Sequence, residues 1–272
     1  MTYGQELYST PKIIEKALKE PEEETLISAK KLVFCGCGTS YYMAGACAKL
    51  CKNQNRSASA VDAIELISGA VIPDPGSTYV FISRSGESEE TVQAMRICKK
   101  SGAHTFYLGC TKDSRIEKEC DKARVLPYGN ETIVLESFSF YVQLTAALAC
   151  CGLVIDKNLS NLISEAFSKA DELYKNVFTK IPFSRIISLA SPFYRNLNRE
   201  MMLKDGEITR LPVEDWGVLE FRHGPRCWCN ETTLIHIMSE NATAGIDAAV
   251  AKELVSYGCP VIWYGENAPK GS

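Results

Sequence analysis

The sequence predicts an α/β fold of two lobes, each a parallel sheet flanked by helices in a three-layer sandwich of the flavodoxin-like kind. Three observations carry that expectation. Short apolar runs alternate with segments of helical spacing from Lys31 to Tyr264, the pattern of parallel strands covered on both faces. Two early runs, Leu32-Val33-Phe34 and Tyr79-Val80-Phe81-Ile82, lead into loops rich in Gly, Ser and Thr. The alternation then restarts near Arg185, after a long amphipathic stretch. At 272 residues the chain is long enough for one large or two modest α/β domains.

In chain order, Tyr3 to Tyr8 reads as an extended lead. Ser9-Thr10-Pro11 then starts a short helix with Ile13, Ile14, Ala17 and Leu18 on one face. An acidic surface connector runs from Pro21 to Ser28. The first lobe follows as strand 31–34, a helix to about 52, strand 58–61, helix 63–68, strand 79–83, helix 88–100, strand 105–109, a mixed-charge helix near Glu117 and strand 124–127. Residues 131–155, with Phe138, Phe140, Val142, Leu144, Ala147, Leu148 and Cys151, read as a helix apolar on most of its surface, buried against the sheet or a partner subunit. Residues 158–180 are amphipathic and read as a bridge. The second lobe comprises strand 186–190, helix 195–204, strand 234–238, helix 244–257 and strand 261–264. The expected organisation is a lead at 1–28, a first domain at 29–156, a bridge at 157–180 and a second, C-terminally incomplete domain at 181–272.

A net charge of −3 without a Lys/Arg block argues against nucleic acid or an anionic membrane as partner, so any positive charge for an anionic ligand must be local. No long apolar span or signal-peptide pattern follows Met1, and the expectation is a cytoplasmic protein. Twelve Cys admit disulfides, a metal site or small buried hydrophobes. Cys35-x-Cys37, Cys150-Cys151 and Cys227-x-Cys229 are too close for an ordinary zinc pair, there is no C-x-x-C, and only three His are available. The reading is buried thiols in a reducing compartment, with no metal and no cofactor.

Chemistry concentrates in two loops and one later segment. Ser83-Arg84-Ser85-Gly86-Glu87-Ser88 joins a strand to a helix, and Cys35-Gly36-Cys37-Gly38-Thr39-Ser40 does the same. Small hydroxyl residues and Gly at a helix N-terminus offer backbone N–H and hydroxyl donors to an anion, and phosphate fits best. Simple helix capping by Ser85 or Ser88 is the alternative. In an open parallel sheet, loops after neighbouring strands share one crevice, so Thr39, Ser40, Ser83, Ser85 and Ser88 can share one ligand.

Cys-Gly-Thr-Ser followed by Ser-x-Ser-Gly-Glu-Ser resembles the sugar isomerase (SIS) domain. The resemblance implies that these positions hold the phosphate of a hexose 6-phosphate. Arg84 stands where a neutral Gln is common, adding a cation to that set. Where the family has a small-residue-Thr-Lys turn, this chain has Glu136-Ser137-Phe138, so the sugar-end contacts fall to Glu136 and Ser137.

Glu200, Lys204 and Glu207 are spaced i, i+4, i+7 and share one helix face. On its own such a row reads as a solvated stripe. Downstream, Leu219-Glu220-Phe221-Arg222-His223-Gly224-Pro225 sets a lone His beside a tight turn. Together the two segments resemble the isomerase half of glucosamine-6-phosphate synthases and the tagatose-6-phosphate ketose/aldose isomerase family. That resemblance implies Glu207 as the base moving a proton between C1 and C2, Lys204 stabilising the enediolate oxygen, Glu200 orienting the sugar, and His223 opening the ring in a neighbouring subunit's site. It also implies a homodimer or higher homo-oligomer with shared sites. The alternative for His223 is a structural role pinning its own turn. His104 and His236 lie in strand-like apolar runs and read as structural.

The resemblance is to the isomerase half alone, and the expectation is a chain without the glutamine-hydrolysing domain or the lysine-bearing tail of the synthases. The expectation is therefore an isomerase or isomerase/deaminase acting on a hexose or aminohexose 6-phosphate. A non-catalytic sugar-phosphate sensor on the same fold is the competing reading.

Overall fold

The computed structural model describes residues 2–20 and 25–269. The connector predicted from Pro21 lies, at 21–24, outside the described residues. Two compact units divide the chain, Met1–Ser168 and Lys169–Ser272.

The first unit opens with α1 (Tyr3–Leu7) and α2 (Thr10–Lys19). The first of these was expected to be extended. Thr2 and Gln5 form a reciprocal capping box, with Gln5 N–H donating to Thr2 Oγ1 at 3.3 Å and Thr2 N–H to Gln5 Oε1 at 2.8 Å, and this stabilises a single helical turn. The chain then alternates through β1 (Leu32–Gly36), α3 (Thr39–Asn53), β2 (Ala58–Asp62), α4 (Ala63–Ile67), β3 (Thr78–Ile82), α5 (Glu89–Lys100), β4 (His104–Gly109), α6 (Arg115–Glu119), β5 (Lys122–Val125) and α7 (Phe138–Cys150). All five strands are parallel, in the order β2-β1-β3-β4-β5.

Strand residues alternate between two covered faces. Val33, Cys35, Val61, Phe81 and Tyr107 pack with Leu66, Val92, Met95 and Ile116 of α4, α5 and α6. On the opposite face α3 lies against β1 and β2, and α7 lies against α2, α3 and β4. The helix read over 131–155 is shorter in the structure. Residues 131–137 are irregular, and α7 begins at Phe138.

α8 (Leu159–Leu173) carries the chain across the division between the units. In the second unit come β6 (Arg185–Ala190), α9 (Arg195–Thr209), β7 (Val213–Gly217), α10 (Val218–Phe221), β8 (Thr233–Met238), α11 (Ala244–Ser256) and β9 (Val261–Tyr264). The sheet is parallel, ordered β7-β6-β8-β9. Ile187, Leu189, Ile235 and Ile237 face Phe221, Val250 and Leu254 of α10 and α11, while α9 packs on β6 and β7. β7 and α10 escaped the sequence reading. Val-Glu-Asp-Trp-Gly follows a proline, carries two acids and forms a half-buried edge strand, so it lacks the apolar run of a central parallel strand. His104 is exposed at the first position of β4, whereas His236 is buried within β8.

The twelve cysteines are free, and eight of them are buried, filling core positions as small apolar side chains. Arg56 fastens the first lobe's entry segment. Its guanidinium donates to the carbonyls of Leu26 at 2.8 Å, Ala29 at 3.2 Å and Ile27 at 3.3 Å, and to that of Cys151, which caps the C-terminus of α7. A cation there also meets the negative end of the helix dipole. Arg56→Ala should destabilise the first lobe by about 2–3 kcal/mol, the scale of losing hydrogen bonds to a charged donor. Urea unfolding followed by far-UV circular dichroism measures this; a change within experimental error would remove Arg56 from the account.

Candidate functional site

The first lobe gathers its donors at one sheet edge. β1 and β3 are neighbours, yet the chain leaves β1 toward β2 on its other side, and it is past the carboxyl ends of such a strand pair that open parallel sheets hold their ligands. After β1 the chain turns sharply, with Gly38 at φ +54° as the N-cap of α3 and Ser40 N–H donating to the Cys37 carbonyl at 3.1 Å. Thr39 and Ser40 are buried at the start of the helix. A Cβ on Gly36 would lie 2.7 Å from the Ser40 carbonyl carbon, so only glycine lets α3 begin this close to the strand.

The second loop is tied internally and to the next strand. Ser83 N–H donates to the Leu108 carbonyl at 3.1 Å, and the buried Tyr107 hydroxyl donates to the Ser83 carbonyl at 3.1 Å. Gly86 sits at φ +64°, where a Cβ would meet Ser114 Oγ at 2.3 Å. Gly86 N–H donates to Ser83 Oγ and Glu87 N–H to Ser85 Oγ, both at 3.1 Å. Ser88 is the N-cap of α5, but its hydroxyl makes no capping hydrogen bond. Cys37 Sγ lies 3.7 Å from Thr91 Oγ1 of α5 and links the two loops.

Two acids beside this cradle, Glu87 and Glu89, are paired. Arg115 Nε donates to Glu87 at 2.8 Å and its Nη1 to Glu89 at 2.7 Å. Arg115, through its backbone N–H and its guanidinium, holds the Glu87 carboxyl below the usual range, and its side chain does the same for Glu89. Arg84 is placed differently from its neighbours. Its guanidinium donates to Glu131 Oε2 at 3.0 Å and to the carbonyls of Ile133 at 3.1 Å and Val134 at 3.2 Å, and it lies 4.0 Å from Glu136. Ser137 is buried as the N-cap of α7 and donates through N–H and Oγ to Glu131 Oε1.

In the second lobe α9 displays the acid–base row. Lys204 Nζ lies 2.7 Å from Glu207 Oε2 and 3.4 Å from Glu200 Oε1. The Lys204 side chain is 16% exposed and that of Glu200 9%, against 36% for Glu207, so the row is mostly sheltered rather than solvated. Asp215 of β7 anchors the first turn of α9, accepting from Arg195 at 2.7 Å and from Asn198 and Arg199. Further along α9, Asp205 lies 3.2 Å from Nδ1 of the buried His236, whose ring meets Phe178 and Tyr264 edge-on. His223 is exposed in the turn after α10, before Gly224 at φ +152°. Its N–H donates to the Glu220 carbonyl, and its ring makes no hydrogen bond among the described residues.

Residues 25–154 match the SIS domain family. The first lobe is an SIS domain. Beyond it, the chain is similar to the glutamine–fructose-6-phosphate aminotransferase (isomerizing) of Campylobacter jejuni, 23% identical over 88% of this chain and 43% of that protein. The corresponding enzyme of Thermotoga maritima is 29% identical over 75% of this chain and 36% of that protein. The chain thus spans about two-fifths of the length of the curated relatives it matches. Among solved structures, its fold resembles the C-terminal domain of glucosamine-fructose-6-phosphate aminotransferase from Francisella tularensis (TM-score 0.80, 21% identity, 97% of this chain and 86% of that one). It also resembles glucosamine-6-phosphate deaminase from Thermotoga maritima (0.82, 21%, 96% and 84%) and tagatose-6-phosphate ketose/aldose isomerase from Escherichia coli (0.81, 20%, 95% and 79%).

The second lobe treats the same topological position in the opposite way to the SIS domain. Past its neighbours β6 and β8, Ser191 and Ser239 converge with Thr243 on a carboxylate supplied by the chain itself. Asp247 Oδ2 accepts from Ser191 Oγ at 2.6 Å, Thr243 Oγ1 at 2.7 Å and Ser239 Oγ at 2.8 Å, and Asp247 is 2% exposed. The loop after Ala190, Ser191-Pro192-Phe193-Tyr194, lacks the glycines of the first-lobe loops. Asp247, Glu131, Asp215 and Arg115 were all missed. A hydroxyl four residues before an acid at a helix start, as in Thr243 and Asp247, was the one available signal. Asp247→Ala should destabilise the second lobe by about 3 kcal/mol or more, because the buried Ser191 and Ser239 hydroxyls and the half-buried Thr243 hydroxyl lose a charged acceptor. Thermal and urea unfolding report it, and an undiminished midpoint would contradict this role.

Proposed function

We propose that the chain is a phosphosugar isomerase, or isomerase/deaminase, that moves a proton between C1 and C2 of an open-chain hexose or aminohexose 6-phosphate. The observation that carries the reading is the SIS-domain cradle, with its hydroxyls and its paired flanking acids. Ser40, Ser83, Ser85 and Ser88, with Thr39 adjacent, bind the 6-phosphate at the positive end of α5 and α3. Glu136 and Ser137 contact the sugar end.

Glu207 takes the carbon proton from one of the two positions and returns it to the other. Lys204 offsets the negative charge that grows on the carbonyl oxygen as the enediolate forms, a cation placed where charge develops. Glu200, sheltered beside Lys204, orients the sugar and holds the ammonium in place. His223, exposed on its turn, opens the ring of a substrate bound to a second copy, so the working unit is a homo-oligomer. The similar proteins are named for aminotransfer, deamination and ketose/aldose isomerisation, and C1–C2 proton transfer is the step these residues would support in common.

A sensor that binds without turnover is the second reading, favoured by the Glu136-Ser137-Phe138 turn, where Glu136 lies beside Arg84 in place of the small-residue-Thr-Lys turn of the family. Exchange of the C2 proton in deuterated water, across a panel of hexose 6-phosphates, separates the two. The native chain should exchange, and Glu207→Gln should lower that rate by about 10²–10⁴-fold, with thermal stabilisation by the same sugar phosphate retained. Stabilisation without exchange by the native chain would establish the sensor. Neither stabilisation nor exchange would refute both.

A further inference from the structure

We propose that Arg84 is a positioning residue: it latches the segment from Glu131 to Glu136 onto the second phosphate loop, so that this loop governs the sugar-end contacts. The selectivity part rests on the phosphosugar reading above; the latch does not.

Arg84 stands between two serines of the cradle, and its own backbone is pinned there. Its carbonyl accepts from Cys110 N–H at 3.0 Å and Thr111 Oγ1 at 3.2 Å. Its side chain, 20% exposed, leaves the loop for another element. One planar fork reaches the Glu131 carboxylate and two successive backbone carbonyls, a geometry that a guanidinium can satisfy and a single ammonium cannot.

Glu131 is the second half of the device. Its side chain is fully buried. Besides Arg84 it accepts from Ser137 N–H at 2.8 Å, Ser137 Oγ at 2.7 Å, Ser139 N–H at 2.8 Å and Ser139 Oγ at 3.0 Å. It thereby satisfies donors at the start of α7, where no side-chain cap of the usual kind exists. A buried carboxylate needs its cation, so removing Arg84 leaves the charge uncompensated at the helix start. The far side of the segment is tied as well, since Thr132 donates through N–H and Oγ1 to the buried Glu6. Between these ties Val134 is 90% exposed, which leaves the tip of the segment without packing of its own. Its conformation therefore depends on the Arg84 and Glu6 ties. Glu136 and Ser137, the residues at the sugar end, lie at the end that Arg84 controls.

The test uses the whole chain and two variants, Arg84→Gln and Arg84→Lys, with hydrogen exchange and with binding of inorganic phosphate and fructose 6-phosphate. In the ligand-free Arg84→Gln protein, amides of residues 131–139 should exchange at least about tenfold faster, with β1 and α3 as protected as before, a local opening rather than global unfolding. Arg84→Lys should fall between. Inorganic phosphate affinity should stay within about twofold of native while fructose 6-phosphate binding weakens at least tenfold, the loss of about one charged hydrogen bond. Parallel loss of both ligands would make Arg84 a direct phosphate ligand and overturn the proposal, as would unchanged exchange at 131–139. If the native chain binds neither probe, the phosphosugar reading fails, and the exchange experiment alone decides the latch.

Discussion

A helix can present its N-terminus to an anion at a sheet edge only if the strand before it lets the helix start close by. Here that constraint falls on Gly36. Its backbone lies against Ser40 so closely that a single carbon would displace the first turn of α3. The same economy of space operates at Gly86, against Ser114 and Tyr107. Because β1 and β3 are neighbours in a parallel sheet, both turns end at one edge. The convergence of donors follows from these two glycines and the strand order, not from contacts the hydroxyls make with each other.

Charge then decides what the cradle can hold. Two like charges about 4 Å apart repel by about 4 kcal/mol near a protein surface, so a carboxylate and a phosphate do not share one small site. In the SIS domain no carboxylate hydrogen-bonds to Ser40, Ser83, Ser85 or Ser88 among the described residues, and Arg115 pairs both Glu87 and Glu89. In the second lobe Asp247 sits among the equivalent hydroxyls and satisfies all three. The two lobes share a frame and differ in whether the anion is part of the chain. That difference favours the first lobe as the proposed ligand site, while α9 of the second carries the Glu200–Lys204–Glu207 row.

Most of the architecture was legible in the sequence because parallel strands are short continuous apolar runs and their helices keep a 3.6-residue period. β7 was not, since an edge strand rich in acids carries neither signal, and its Asp215 is needed to anchor α9. The loops of the cradle could be read because Gly and Ser have specific jobs at a strand-to-helix turn. The side chains that set their electrostatics could not. Arg84, beside two serines, reads as a phosphate cation, and nothing in the sequence shows that Glu131, 47 residues away, engages it. Long-range ion pairs of this kind have no spacing rule. The helix ending at Thr209 and the irregular stretch at 131–137 show the same limit, because their boundaries are set by tertiary partners.

The proposed function requires an anion site at the β1/β3 edge of the SIS domain and none at the corresponding place in the second lobe. Amide NMR shifts recorded while inorganic phosphate is titrated into isotope-labelled protein test it most directly. Saturable shifts are expected at residues 38–42 and 83–89, with the amides of Ser191, Ser239, Thr243 and Asp247 unmoved. Shifts centred on the second group, or on neither, would contradict it.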